Sequence, residues 1–237
     1  MNGRYWNRRP FFSLYSDAIN LAKLSISLTE NESNGDVLAR NSVLNSIFSL
    51  EAAANCFLDC CDQPKSLSKS FDKLAMVEKY ELLLLYKNRE KRLDRGSAIV
   101  QKVSELVSKR NSYVHPRPKS IEPQYEKNEI TERDYQFSKN SLLSSSMGFP
   151  ENPMEWNGEN AVQAINAVSD FMSMFLIEMC ELTPKDSMQF LCDELYEDGV
   201  FKVMFGKEWS GHIIYARREW GVKSSFVYEP YLSASLT

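Results

Sequence analysis

The residues of this chain best suited to chemistry are an arginine and a histidine five residues apart, Arg110 and His115. A guanidinium offers several fixed donors that hold a phosphate or a carboxylate, and imidazoles exchange protons near neutral pH. The two side chains are candidates for a functional site, if the surrounding elements bring them together.

The helix predicted over residues 96–114 turns Arg110 toward the core. At about 100° per residue, Val103, Leu106 and Tyr113 fall on one stripe of that helix, and Arg110 falls in its middle. A guanidinium stays charged in an apolar interior. An arginine at this position must therefore be paired, face a cleft or lie at an interface.

A carboxylate occupies the matching position on the helix predicted over residues 37–61, where Glu51 lies within the apolar stripe. Two interpretations of Arg110 are therefore open. Glu51 and Arg110 form a buried ion pair that serves the architecture, or Glu51 orients the guanidinium within a site. His115 also has a structural alternative, since a histidine at a helix C-terminus can cap free carbonyl groups.

The run from Arg110 to His115 is an arginine, a polar residue, three further residues and a histidine at the end of a predicted helix. This run resembles the motif of the HEPN superfamily, and the predicted helices fit that family's bundle over roughly residues 14–182. The resemblance implies a metal-independent endoribonuclease that acts as a homodimer, with motif residues of both subunits facing a shared cleft.

The resemblance also implies a role for each motif residue. His115 acts as general base or acid on the ribose 2′-hydroxyl or the leaving oxygen, and Arg110 holds the scissile phosphate. Asn111 orients a partner or the phosphate, the product is a cyclic phosphate, and neither metal nor cofactor takes part. The implied cellular role is a toxin, defence or stress-response effector, with a cognate antitoxin or regulatory protein as partner. The alternative is a HEPN-like dimeric module that binds and cleaves nothing.

A basic segment leads into the motif and continues beyond it. Residues 87–119 contain ten basic and three acidic side chains, a net charge of +7 within a chain of net charge −4. Such a segment is either a footprint for a polyanion or the solvated face of a helix. As an RNA footprint, it adds the cations nearest to the motif, Lys109, Arg117 and Lys119, to the predicted site.

Other groups with chemical potential are predicted to be structural. Cys56 and Cys60 lie one helical turn apart, as metal ligands do, and Cys61 is adjacent. The chain has only two histidines and no second paired-cysteine motif, so the pattern favours buried thiols and no metal site is predicted. The chain has five cysteines, an odd count, and three of them fall within six residues, which is a poor disulfide framework and indicates reduced thiols in the cytoplasm. His212 has no recognisable partner and is predicted to be structural.

The composition also excludes several classes of protein. Apolar residues make up 43% of the chain and charged residues 25%, which is typical of a globular protein. The longest apolar run, residues 82–86, is too short to span a membrane. The N-terminal segment MNGRYWNRRPFF has no hydrophobic stretch of a secretory signal. Its interleaved basic and aromatic residues are either a surface that stacks on bases or, as the favoured interpretation, an arm that packs on the domain or a partner.

The predicted fold is mainly α, an up-and-down bundle of about five helices with a small C-terminal appendage. The bundle occupies residues 1–183, with helices predicted over residues 14–29, 37–61, 66–87, 96–114 and 158–182. Within it, residues 115–157 are polar and contain five prolines. They predict a long loop that is functional, mobile or contains a short helix near residues 131–144.

The appendage, residues 184–237, differs in composition from the bundle. A helix is predicted at residues 186–197. The following segments GVFKVMF, HIIYARREW and SSFVYEPYL are rich in aromatic and β-branched residues and are separated by glycines. They predict short strands or an extended arm packed on the bundle.

Overall fold

The computed structural model describes residues 4–28, 34–61, 69–115, 125–127, 135–137 and 146–233. Most of the described residues are helical, which confirms the predicted mainly α fold. The helices are α1 (Phe11–Leu28), α2 (Asn34–Asp59), α3 (Met76–Lys87), α4 (Ala98–Val114), α5 (Gly158–Ser173), α6 (Pro184–Leu191), α7 (Lys207–Trp220) and α8 (Glu229–Ser233).

The strands are short and belong to two antiparallel sheets. They are β1 (Tyr5–Asn7), β2 (Tyr125–Lys127), β3 (Tyr135–Phe137), β4 (Asp193–Glu197) and β5 (Val200–Met204). One sheet has the order β1-β4-β5, and the other is the pair β2-β3. Tyr5 lies opposite Tyr196, so the N-terminal arm is joined to the C-terminal appendage. The buried Arg9 strengthens this junction through an ion pair of 2.9 Å with Glu194.

The centre of the bundle is formed by α1, α2 and α5. α1 directs inward a set of fully buried side chains at helical spacing, Phe11, Phe12, Tyr15, Ala18, Ile19 and Ala22. α5 begins after Asn157, whose side chain accepts a hydrogen bond from the Asn160 nitrogen at 3.1 Å. It continues as a π-helical turn at Met174–Met179, so the helix predicted over residues 158–182 changes its geometry before its end.

α3 and α4 both pack against α2, and α4 carries Lys109, Arg110 and Asn111 of the predicted site. The helix predicted over residues 66–87 is interrupted by a turn at residues 72–75, and α3 begins at Met76. The Glu78 carboxylate caps this start by accepting a hydrogen bond from the Ala75 nitrogen at 3.0 Å. α4 begins after Ser97, whose hydroxyl accepts from the Val100 nitrogen, and its bounds agree closely with the prediction.

The C-terminal appendage contains more helix than its sequence indicates. α6 ends at Leu191, and the rest of the helix predicted at residues 186–197 is mostly β4. HIIYARREW, predicted as a strand or arm, lies within α7, because Ser210, Ile213 and Ala216 are buried at intervals of three residues. Gly221 ends α7 with a φ of 65°, a left-handed conformation that favours glycine. GVFKVMF contains β5, as predicted.

The long segment between α4 and α5 returns to the core before α5 begins. Residues 135–137 form β3 rather than part of the short helix predicted near residues 131–144, and the rest of that predicted helix lies outside the described residues. Trp156 is fully buried, and its indole donates to the Pro150 carbonyl at 3.0 Å. Among the helices described, none is long and apolar enough to cross a membrane.

Candidate active site

The end of α4 places Arg110 at the edge of the core. Val103 and Leu106 are fully buried, as the predicted stripe requires, whereas Tyr113 is only half-buried, its ring 6.2 Å from that of Trp156. The side chain of Arg110 is 22% exposed. Its guanidinium therefore lies partly in the protein and partly in solvent, which is the placement that an anion-binding group requires.

Three side chains surround the Arg110 guanidinium. Its Nη2 donates to Glu51 Oε2 at 2.6 Å, and its Nη1 donates to Asn111 Oδ1 at 2.9 Å. The guanidinium carbon lies 5.6 Å from the centroid of the Phe48 ring, a cation–π distance. Nε is buried and has no hydrogen-bond partner within the described part of the chain. The contacts thus fix the plane of the guanidinium and leave one buried N–H unsatisfied.

Glu51 also contacts a second cation, Lys79 of α3. Lys79 Nζ lies 3.8 Å from Glu51 Oε1 and donates to Asn55 Oδ1 at 3.2 Å. The side chain of Lys79 is only 3% exposed, whereas that of Glu51 is 37% exposed. Burying an ammonium is costly unless partners compensate it, so this lysine is the most unusual charge in the site.

The site has an excess of positive charge. Glu51 uses one carboxylate oxygen for Arg110 and the other for Lys79, so one anion is shared by two cations. The three charged groups sum to +1, and Glu51 itself reaches solvent. An arrangement of this kind can accept an additional anion, such as a phosphate, without leaving any member of the cluster uncompensated.

His115 lies at the surface, directly after α4. It is exposed, and its backbone nitrogen donates to the Asn111 carbonyl at 2.9 Å, which closes the last turn of the helix. Among the described residues, no side-chain hydrogen bond or ion pair joins His115 to Arg110 or Glu51. The structure therefore brings Glu51, Asn111 and Arg110 together, whereas the imidazole that follows them in sequence is exposed.

Only one of the three cations predicted to bind RNA falls within the described residues. Lys109 is half-buried, and its Nζ donates to the Pro150 carbonyl at 3.4 Å, so it helps to hold the segment that precedes α5. Arg117 and Lys119 lie outside the described residues.

In comparisons with protein-family models, curated proteins and solved structures, nothing matches the chain. The resemblance to the HEPN superfamily therefore stays a prediction, carried by Arg110, Asn111 and His115.

Sequence reasoning missed Lys79, although a signal for it is present. Met76, Lys79, Tyr80 and Leu83 are buried on one face of α3, at the same spacing that identified Arg110 on α4. A charged residue inside that stripe predicts a paired or functional group. The apolar run ELLLLY dominates this helix and conceals the charge that precedes it.

The remaining reactive groups are the cysteines and His212, and none of them takes part in the contacts given above for the cluster. All five cysteines are free thiols, and Cys56, Cys180 and Cys192 are buried. Burial raises the pKa of Cys56 to about 12. No group of histidine, cysteine or acidic side chains suited to a metal ion occurs among the described residues. His212, predicted to be structural, has its Nδ1 at 2.7 Å from the buried Ser16 hydroxyl and thereby connects α7 to α1.

Proposed function

We propose that this protein is a metal-independent endoribonuclease of the HEPN type, which cleaves RNA by attack of a ribose 2′-hydroxyl on the adjacent phosphate. The observation that carries the proposal is the half-buried Arg110 guanidinium, oriented by Glu51 and Asn111 and followed on the same helix by an exposed imidazole. Positioned cations and an acid–base group are what this reaction requires.

In the proposed reaction, His115 accepts the proton of the 2′-hydroxyl while that oxygen attacks phosphorus. The bond from phosphorus to the 5′-oxygen breaks, and the leaving oxygen takes a proton from an imidazolium. The products are a 2′,3′-cyclic phosphate and a 5′-hydroxyl. Arg110 stabilises the charge that accumulates on the non-bridging oxygens, and Asn111 holds the guanidinium in its orientation.

Lys79 explains how Arg110 becomes available to the phosphate. When a phosphate takes the place of Glu51 beside Arg110, the carboxylate keeps Lys79 as its counter-ion. The half-exposed Glu51 also gains water. The exchange therefore leaves no buried charge without a partner, and Lys79 acts as a positioning residue through Glu51.

The proposal includes a homodimer, in which His115 of one subunit completes the site of the other. His115 is exposed and makes no side-chain contact with Arg110 among the described residues. This supports a second copy of the chain as the source of the imidazole that lies close to Arg110.

The proposal also includes a cytoplasmic location, supported by the five free thiols. Because free ribonuclease activity harms its own cell, a toxin or defence role requires an antitoxin or regulatory protein.

A non-catalytic dimeric binding module is the second candidate function. It is favoured by the engagement of both terminal nitrogens of Arg110 within the chain, which is also the geometry of a purely structural ion pair. In that case the cluster of Arg110 and Glu51 fixes α4 against α2 and takes part in no reaction.

Cleavage in the absence of metal separates the two functions. Purified protein should cut a single-stranded RNA in excess EDTA, and Arg110→Ala and His115→Ala should each abolish cutting. Arg218→Gln, an exposed arginine on α7, is the matched control and should retain full activity. An intact dimer that cuts nothing would favour the binding module, and cutting that survives both site substitutions would disprove the assigned site.

Mixing the inactive variants tests the shared cleft. Arg110→Ala and His115→Ala subunits that exchange should regain part of the activity, since some mixed dimers contain one site with both residues intact. A persistent monomer at micromolar concentration, with full activity, would contradict the composite site.

A further inference from the structure

The end of α3 and the turn after it form a groove that the proposed reaction does not use. It has a volume of about 460 Å³ and is lined by Leu82, Leu85, Tyr86, Arg89 and Arg92. Tyr86 is 59% exposed and Leu85 is 40% exposed, so an aromatic face and an apolar floor are open to solvent. The two arginines that line the groove, Arg89 and Arg92, add positive charge to these aromatic and apolar surfaces.

The positive charge of this groove is not neutralised within the described part of the chain. Neither Arg89 nor Arg92 has a carboxylate within ion-pair distance among the described residues, while the neighbouring Lys91 and Arg95 are paired with Glu181 and Glu81. The Nη1 of Arg92 donates to the carbonyl oxygens of Arg89 and Lys91 at 2.6 and 2.8 Å. These bonds hold the Arg92 guanidinium in place above the turn.

A second groove of similar size provides an internal comparison. It lies between α7 and α8 and has a volume of about 410 Å³. Both of its arginines are ion-paired, Arg217 with Glu229 and Arg218 with Glu219, each at 2.6 Å. The groove at α3 therefore differs in the property that attracts a polyanion, namely guanidinium groups that no carboxylate compensates.

The groove at α3 is connected to the candidate active site along one helix. Lys79, the counter-ion of Glu51, lies seven residues before Tyr86 on α3, which corresponds to about 10 Å along the helix axis. Lys79 itself is buried, whereas Leu85 and Tyr86 are exposed, so the groove is the solvent-accessible end of the helix that reaches the candidate site. With the proposed function, a strand of nucleic acid whose phosphate lies at Arg110 extends toward this groove.

We infer that this groove, defined by Leu82, Leu85, Tyr86, Arg89 and Arg92, is a subsite for single-stranded RNA. An unpaired base stacks on the Tyr86 ring, and Arg89 and Arg92 bind the flanking phosphates. Stacking on an aromatic face accepts any base, so the subsite provides affinity and places the strand without reading its sequence. The inference rests on the proposed function for the direction of the strand, and it can be tested by binding alone.

The test measures binding of a fluorescein-labelled 2′-O-methyl oligouridylate of about eight nucleotides, which lacks the attacking hydroxyl. The full chain carries Arg110→Ala and His115→Ala, so the active site contributes neither cleavage nor its main phosphate contact. In fluorescence anisotropy, Tyr86→Ala should weaken binding about tenfold. Arg89→Gln should lower the slope of log Kd against log salt by about 0.7, the share of one phosphate contact on a single strand.

Two control variants match these substitutions in exposure and chemistry. Phe201→Ala removes an aromatic ring that is 60% exposed on β5, and Arg218→Gln removes an exposed charge on α7. Both should leave the Kd and the salt slope unchanged. A 4-thiouridine in the probe should crosslink to the peptide that contains Tyr86, and the Tyr86→Ala variant should lose that crosslink.

Each failure of this test is distinguishable from failure of the proposed function. Wild-type cleavage with no effect of Tyr86→Ala on binding or crosslinking would overturn the subsite and leave the ribonuclease intact. Tyr86-dependent binding by a chain that cuts nothing would support the subsite and disprove the ribonuclease. No binding of the probe, or a Tyr86→Ala effect confined to association between protein molecules, would overturn the subsite.

Discussion

Replacement of Lys79 by methionine separates a charge kept for function from a charge kept for stability. Methionine has nearly the length of the lysine stem and fills the same buried space without an ammonium. The remaining partner, Glu51, keeps its 2.6 Å contact with Arg110 and is 37% exposed, so it is not left as an uncompensated buried charge. We expect Lys79→Met to be as stable as the wild-type protein or more stable.

The magnitude follows from the distances in the cluster. At 3.8 Å from Glu51, the ammonium gains about 4 kcal/mol in an effective dielectric of about 20. Because Glu51 is more than a third exposed, solvent reduces this gain to about 1 kcal/mol. The hydrogen bond to Asn55 adds about 1 kcal/mol, while desolvation of an ammonium that is 3% exposed costs several kcal/mol. The free energy of unfolding of the variant should therefore be about 1 kcal/mol higher than that of wild type, which corresponds to a Tm higher by about 2–4 °C.

Urea and thermal unfolding, followed by circular dichroism, measure the effect. Lys207→Met, an exposed lysine at the start of α7, is the matched control and should leave the Tm unchanged. Lys79→Ala, which also removes the buried stem, should be destabilised by about 2 kcal/mol or more. A loss of more than about 2 kcal/mol in Lys79→Met would show that the ammonium stabilises the fold, and it would refute the reasoning.

Three further expectations follow from the same contacts. Glu51→Gln should tighten binding of a non-cleavable RNA about fivefold, because Arg110 loses a competing anion, and adding Lys79→Met should change that affinity no further. If anisotropy shows that Lys79→Met weakens binding in the Glu51→Gln background as much as in the wild-type background, the exchange at Glu51 is contradicted. Burial, with a smaller contribution from Lys23, lowers the pKa of His212, so the stability that the neutral imidazole contributes is complete above about pH 6.5 and is lost as the pH falls through the lowered pKa. Urea unfolding between about pH 7.5 and 5.5 should therefore show a smaller decrease in the free energy of unfolding for His212→Asn than for wild type. Equal decreases would contradict the assignment. Because burial raises the pKa of Cys56 to about 12, a thiol reagent should modify the exposed Cys60 in the native protein and react with Cys56 only after unfolding. Mass spectrometry of the labelled peptides measures this difference, and equal labelling of both cysteines in the native protein would contradict the burial of Cys56.

The helical wheel predicted the central contact of the site from sequence alone. Glu51 and Arg110 each interrupt an apolar stripe, and these positions on neighbouring helices bring the opposite charges into contact, with both side chains partly exposed rather than buried. The ion pair of 2.6 Å is the outcome. The same rule applied to α3 identifies Lys79, a charged residue within the buried stripe of that helix.

Other features depend on contacts that no local pattern encodes. Ile213 and its β-branched and aromatic neighbours favour a strand, yet they form α7 because burial against the core outweighs intrinsic preference. The pairing of Tyr5 with Tyr196 joins residues that are almost a chain length apart, and the sequence around either residue contains no sign of its partner. The residues that face His115 in the proposed dimer would likewise be set by assembly and not by the local sequence.

Analysis of the product ends tests the central claim most directly. Wild-type protein in excess EDTA should convert a single-stranded RNA into fragments that end in 2′,3′-cyclic phosphates and begin with 5′-hydroxyls. A single 2′-deoxy substitution at a mapped cleavage position should abolish the cut at that position, and Arg110→Ala and His115→Ala should give no fragments. Fragments with 5′-phosphates, cutting beside the 2′-deoxy residue, or fragments from either variant would contradict 2′-hydroxyl attack assisted by Arg110 and His115.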